Sequence, residues 1–358
     1  MSLKRWISDD TEFIDLEEPL PLECGRELPQ VRIAYRTWGR PRSSATLVCH
    51  ALTGSADADD WWADLFGPGK TLDPERDYVI CANVLGGCYG TTGPTSRARG
   101  AFEPYGATFP KVTIRDIVHA QARLLDHLGV DTLNLVIGGS MGGMQVLEWA
   151  LLYPERVKAI APIAALPTQT PWAVALSEAQ RQAIEADANY AGGRYPLGAG
   201  PAKGLGAARS MAMISYRSPH NFASRFGRVL ADEDTLQVQR YLRHQGAKLV
   251  DRFDANTYLT LVEAMDSHDI GRGRGTVSQA LAAIHQPALV VSISSDGLYP
   301  AGEVAEMASE LPGAELYQID APHGHDAFLI RVSELNELLV GFIERHGLRR
   351  KLRTAVGN

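Results

Sequence analysis

The sequence predicts an α/β fold: a mostly parallel central sheet, helices on both faces, and one inserted block of helices. Three observations predict it. Short, continuously apolar runs alternate with segments of helical spacing through the first half. From about 168 to 275 the chain is rich in Ala, Arg, Gln and Glu and offers no convincing strand. The strand–helix alternation then resumes, as a block inserted into one open sheet requires. At 358 residues the chain also exceeds the roughly 250–300 at which a single core usually stops growing. The expected division is therefore a core of 1–166 and 276–358 with a helical lid at 167–275. Two domains in series fit the resumed pattern less well.

Taken in order, Val31–Trp38 and Ala45–His50 read as strands, the second entering a glycine-containing loop. Tyr78–Val84 is a third, ending at Gly86-Gly87. Ile114–Leu128 carries apolar residues at helical spacing and stops at Gly129. Leu133–Ile137 is a strand leading into a glycine-rich turn and a helix from about Gly142 to Leu152, which Tyr153-Pro154 terminates. Val157–Ile163 is the next strand. After the helical block come strand Ala288–Ile293, helix Ala301–Glu310, strand Glu315–Ile319 and helix Val332–Arg345.

Composition excludes several classes. A hydrophobic fraction of 45% and a charged fraction of 22% are ordinary for a soluble globular protein. A net charge of −7 without a long basic run argues against nucleic acid or an anionic membrane surface as partner. The short basic tail Arg349-Arg350-Lys351 reads as a solvated helix end. No stretch reaches the ~18 apolar residues that span a bilayer, and Met1–Glu18 is too acidic for a signal peptide. Cys24, Cys49, Cys81 and Cys88 have no CxxC spacing, so reduced thiols in a cytoplasmic protein are expected.

The sharpest local feature is Gly138-Gly139-Ser140-Met141-Gly142-Gly143, between a strand and a helix. Strand, G-x-S-x-G, helix is the nucleophile elbow of the α/β-hydrolase fold. The turn strains the serine backbone, and glycines on either side remove the Cβ atoms that would clash. A serine hydroxyl needs a base, and the base needs an orienting acid. In this fold the acid and then the histidine follow the serine along the chain. Asp296, just past strand Ala288–Ile293, suits the acid. The segment Asp320-Ala321-Pro322-His323-Gly324-His325-Asp326 supplies the histidine, and spacing does not choose between His323 and His325. Asp320 and Asp326 rival Asp296, though their closeness to the histidines hinders side-on orientation. Two backbone N–H groups are needed for the oxyanion: one from Met141, the other from His50-Ala51-Leu52-Thr53-Gly54, with Leu52 the candidate donor. No metal-ligand spacing is present.

Several blocks together carry a broader resemblance: Cys49–Gly54, Trp61-Trp62, Gly67–Lys70, Asn83–Cys88, Gly93-Pro94, Phe109-Pro110 with Val112–Asp116, Gly138–Gly143, and Gly324-His325-Asp326-Ala327-Phe328-Leu329. From about Arg32 to Phe342 the chain resembles the homoserine O-acetyltransferase family. The resemblance implies that His325 is the base, Ser140 the nucleophile and Asp296 the triad acid, with Arg209 and Asp326 binding substrate. It implies a ping-pong transfer from acetyl-CoA, as co-substrate, to the hydroxyl of L-homoserine in methionine biosynthesis. It implies no permanently bound cofactor, and it implies a homodimer formed largely through the lid.

The chemistry suits these roles. Homoserine carries a carboxylate, which a guanidinium can hold bidentately, and an ammonium, which an aspartate can pair. Arg217 rivals Arg209 for the carboxylate. Three alternatives stay open: an esterase or thioesterase with the same triad, a succinyl donor, and a serine acceptor. A succinyl group would bring a second carboxylate, and Asp57 is expected to repel it if close. Asp57 also departs from the family, whose acetyl-specific members often carry histidine there.

Overall fold

The computed structural model describes residues 7–98 and 100–349. In chain order the strands are β1 (Glu12–Asp15), β2 (Leu20–Pro21), β3 (Glu27–Leu28), β4 (Arg32–Trp38), β5 (Ser44–Cys49), β6 (Val79–Ala82), β7 (Thr132–Gly139), β8 (Ile160–Ile163), β9 (Ala288–Ile293) and β10 (Ala314–Ile319). β2 and β3 pair only with each other. The rest form one eight-stranded sheet in the order β1-β4-β6-β5-β7-β8-β9-β10. β1–β4 and β4–β6 are antiparallel, and the remaining pairs are parallel.

The helices are α1 (Ala58–Trp61), α2 (Ile114–His127), α3 (Met141–Leu152), α4 (Pro171–Glu185), α5 (Ala202–Ser215), α6 (Pro219–Phe226), α7 (Gln237–Val250), α8 (Ala255–Asp266), α9 (Val277–Ala282), α10 (Ala301–Glu310), α11 (Ala327–Ile330) and α12 (Val332–Arg345). Successive strand residues face opposite sides of the sheet, which is why the central strands carry apolar residues on both faces. Leu47, Ile80, Val136 and Val290 pack with α2, α3 and α10. Their neighbours Val48, Cys81, Ile137 and Val291 join Trp62 and the α12 residues Leu335, Leu339 and Phe342 on the other face. Local capping fixes several starts: Thr113 and Asp116 form a reciprocal capping box on α2, and Thr170 caps α4 with Pro171 in its first turn.

Most predicted elements stand within two residues of their expected limits. The strand expected over 157–163 is shorter, because Pro154–Arg156 forms a 3-10 turn and Val157 makes only an isolated bridge to Leu133. β1 has no counterpart in the sequence reading. It is a short edge strand with one buried side chain, Ile14, and so carries no apolar periodicity. The basic tail also differs. Arg349 is no solvated end: it pairs with Asp77 at 2.6 Å, both side chains only 8% exposed. Arg350 and Lys351 lie outside the described residues.

Between β8 and β9 the chain runs through α4–α9 without a strand. α5 and α7 cross where two glycines meet: a Cβ on Gly246 would stand 2.7 Å from the Gly206 carbonyl oxygen. Gly246→Val should therefore overpack the crossing and cost about 1–3 kcal/mol, read as a lowered denaturant midpoint with an unchanged slope. No helix among the described residues is long and apolar enough to cross a membrane.

Candidate active site

Ser140 ends β7 and begins α3 with φ 57° and ψ −124°, a conformation that strains any residue but glycine. The turn is held by Ser140 N–H donating to Ile163 O at 2.9 Å, and by Gly143 and Met144 N–H donating to Ser140 O. Glycine is required nearby for closeness: a Cβ on Gly142 would lie 2.1 Å from the Cys49 carbonyl oxygen. The strand beside the elbow thus approaches α3 directly, and Ser140 sits at the carboxyl end of the sheet, 6% exposed.

Asp296 and His325 come from the loops after β9 and β10, at the same end of the sheet. His325 Nδ1 lies 2.7 Å from Asp296 Oδ2, with both side chains almost wholly buried. The other carboxylate oxygen, Oδ1, accepts the N–H groups of Leu298 and Tyr299 at 2.8 and 2.9 Å. With those donors fixing the carboxylate, His325 carries its proton on Nδ1 and leaves Nε2 as an acceptor. That Nε2 is buried and has no partner among the described residues. Burial opposes charging the ring, but the charge and hydrogen bond of Asp296 outweigh it and hold His325 above the ordinary histidine range. Tyr216, Tyr299 and Phe328 surround the imidazole at 5.8, 5.3 and 5.7 Å between ring centres. Phe328 also links this group to the elbow, since a Cβ on Gly139 would stand 2.6 Å from its ring.

Geometry separates the rivals. Burial, then Arg217 and Arg331, hold His323 below the ordinary histidine range, and its Nδ1 has no partner among the described residues. Asp320 accepts from Ser294 Oγ at 2.8 Å. Asp326 pairs not with the imidazole but with Arg217, at 3.1 Å.

The loop carrying Leu52 is anchored from below. His50 Nε2 accepts from Val84 N–H at 3.1 Å, its Nδ1 bonds Ala51 O at 2.8 Å, and burial pushes its pKa down to about 4, so the ring is neutral. Gln145 on α3 donates to His50 O and to Met141 O, both at 3.1 Å. One side chain thereby joins the two segments expected to bear the oxyanion donors. Among the described residues neither Leu52 N–H nor Met141 N–H donates to an acceptor. The sequence marks His50 only as the first residue of the oxyanion loop and does not mark Gln145. A polar residue one helical turn after the elbow was the available signal for Gln145.

Arg209 on α5 lies over the Tyr216 ring, 5.6 Å from its centre. Among the described residues it has no carboxylate partner, whereas Arg217 is committed to Asp326. Burial raises Asp326, with Arg217 and then His325 pulling it back down. The Asp57 carboxylate accepts from Arg36 at 3.1 Å, from Ser8 at 2.6 Å and from Ser55 at 2.8 Å. Arg36 is shared with Asp59 and Asp10, so one guanidinium meets three carboxylates and the cluster stays net negative.

Comparison with known proteins places this arrangement. Residues 46–332 match the model of the alpha/beta hydrolase fold. A homoserine O-acetyltransferase from Nostoc punctiforme is 53% identical over 342 residues, 93% of this chain and 96% of that protein. One from Chlorobium luteolum is 51% identical over 94% of this chain and 95% of its own. The chain belongs to the homoserine O-acetyltransferase family. Among solved structures, homoserine O-acetyltransferase from Staphylococcus aureus has a TM-score of 0.75 at 28% identity, covering 93% of this chain and 94% of that one. Esterase E22 has a TM-score of 0.85 at 26% identity, covering 93% and 100%. Homoserine O-acetyltransferases and esterases thus share this fold, and the fold alone does not distinguish transfer from hydrolysis.

Proposed function

We propose that this chain moves an acetyl group from acetyl-CoA to the hydroxyl of L-homoserine through an acetyl ester on Ser140. His325 Nε2 takes the Ser140 proton as Oγ attacks the thioester carbon. The tetrahedral oxyanion is held by the Leu52 and Met141 N–H groups. It collapses with departure of CoA, whose sulfur receives the proton from His325. The homoserine hydroxyl then gives its proton to His325 and attacks the acetyl carbon. Collapse returns the proton to Ser140 and releases O-acetylhomoserine. Asp296 keeps the imidazole in the Nδ1–H form at both stages. Acetyl-CoA is a co-substrate, and the scheme calls on no permanently bound cofactor.

The observation that carries the reading is a set of charges around the base. Asp326, next to His325 in the chain, is held by Arg217 and can share its carboxylate with an ammonium, while Arg209, over the Tyr216 ring that also packs on His325, has no carboxylate partner among the described residues. An α-amino acid presents the complementary pair. The helices between β8 and β9 serve as the lid that keeps water from the acyl-enzyme. A homodimer forms through them, supported by the exposed Ile214, Val229 and Leu230, each more than half accessible. The enzyme works in the cytoplasm, in methionine biosynthesis.

A thiol-release assay crossing acetyl-CoA and succinyl-CoA with homoserine, serine or no acceptor tests the whole reading. Release dependent on both acetyl-CoA and homoserine is expected. Equal release without acceptor would instead mark an esterase or thioesterase, and preference for succinyl-CoA or serine would overturn the donor or acceptor. Truncating a buried partner of a charge pair costs about 2–5 kcal/mol. Arg209→Ala should therefore lower kcat/KM for homoserine by about 30-fold or more while leaving the acylation burst intact. Equal loss in both half-reactions would show that Arg209 is not a carboxylate clamp.

A further inference from the structure

Beneath the lid helices, one arginine reaches the loop that carries Leu52. Arg252 follows α7 directly, and its Nη1 donates to the Thr53 carbonyl oxygen at 2.9 Å across a separation of 199 residues. The same nitrogen bonds the Tyr89 hydroxyl. Tyr89 is itself fixed, 6% exposed and packed edge-on to Phe253 at 5.8 Å. The loop is a tight turn closed by Gly54 N–H donating to Ala51 O at 2.9 Å. Gln145 and His50 hold its entry from the sheet side. Its outward carbonyl, Thr53 O, is held by a cation from the helical block.

We infer that Arg252 is a positioning residue for the oxyanion hole, fixing the 51–54 turn so that Leu52 N–H faces the reacting carbonyl only while the helical block is docked. A hydrogen bond from a charged donor is about twice as strong as a neutral one, and an oxyanion donor loses its effect when its direction is lost. Among the described contacts Arg252 bonds Thr53 and Tyr89 and no member of the triad, so it acts through the loop. α7, which precedes it, crosses α5 at the Gly206–Gly246 contact, and α5 carries Arg209. Docking of the helices that bind the acceptor thus also seats the loop that stabilises the transition state, which would suppress hydrolysis by an undocked enzyme.

The inference rests on the acyl–Ser140 mechanism. The test is the rate of the acylation half-reaction, read as CoA release in a rapid-mixing experiment with acetyl-CoA, together with mass mapping of the acyl group. Arg252→Ala should acylate Ser140 about 10- to 100-fold more slowly, short of the roughly 10²–10³ lost with a whole donor. KM for homoserine should change less than about twofold if Arg252 acts through the loop, and a larger rise in KM would instead make it a substrate contact and overturn the inference. Added guanidinium ion should restore several-fold of the lost rate, which a merely structural role would not show. If Arg252→Ala does not fold, Arg252→Lys decides: it keeps the charge but ends one atom short of Nη1, the nitrogen that bonds both Thr53 and Tyr89, and a several-fold loss is expected. An acylation rate equal to wild type in the folded variant, or a loss that guanidinium does not repair, overturns the inference while leaving Ser140 as nucleophile. Absence of acyl–Ser140 in the unmodified enzyme overturns both.

Discussion

Ser140→Ala should lower acetyl transfer by about 10⁶, the loss seen when a serine nucleophile is removed from an acting triad. The expectation comes from the elbow. Ser140 is the one residue of the β7–α3 turn that combines a hydroxyl, φ 57° and a position at the carboxyl end of the sheet. Its strained backbone is held by hydrogen bonds to Ile163, Gly143 and Met144, which do not involve the side chain. Alanine can therefore occupy the site with the turn intact, and a melting curve close to wild type should accompany the loss. Steady-state thiol release measures the rate. Retention of more than a small fraction of activity would show that the acyl group travels by another path.

Asp296→Asn should reduce kcat by about 10⁴. The carboxylate accepts three hydrogen bonds, from His325, Leu298 and Tyr299. Asparagine can keep the backbone contacts but offers its NH₂ or a neutral oxygen to the ring, so the Nδ1–H tautomer is no longer enforced. The pH profile gives an independent check. His325 is held above its ordinary range chiefly because Asp296 overcomes the effect of burial. The base must be neutral to act, so wild-type kcat/KM falls as pH drops through that raised value. In Asp296→Asn burial is opposed only by the charge of Asp326, and the acid limb should move to lower pH. Stability follows the opposite sense: the pair stabilises the fold fully below the unfolded histidine value and loses that contribution as pH rises through the folded one. An acid limb unmoved by the substitution would break the link between this carboxylate and the base.

Much of this site was legible because its signals are local or ordered. The elbow is fixed by contiguous glycines that let α3 approach the Cys49 carbonyl. The acid and histidine follow from strand ends in a set chain order. Between His323 and His325 spacing was silent; only the Asp296 contact and the resemblance separate them. What could not be read were pairings between distant segments. Nothing near Arg252 points to Thr53, and nothing near Asp57 points to the Arg36 guanidinium it shares with Asp59 and Asp10. Arg217 and Arg209 are equivalent in sequence, yet the corner between α5 and α6 turns one toward Asp326 and leaves the other over Tyr216. β1 escaped because an edge strand with one buried residue has no amphipathic pattern to detect.

The central claim is that a buried serine, activated through His325, hands its acyl group to an amino acid and not to water. A chase experiment measures this directly: enzyme charged with acetyl-CoA, freed of CoA, then split between buffer and homoserine while the acyl-enzyme is followed by intact mass. The account predicts one acetyl group mapped to Ser140, persisting in buffer and discharged rapidly by homoserine into O-acetylhomoserine. An acetyl group on another residue, or discharge in buffer as fast as with homoserine, would contradict it.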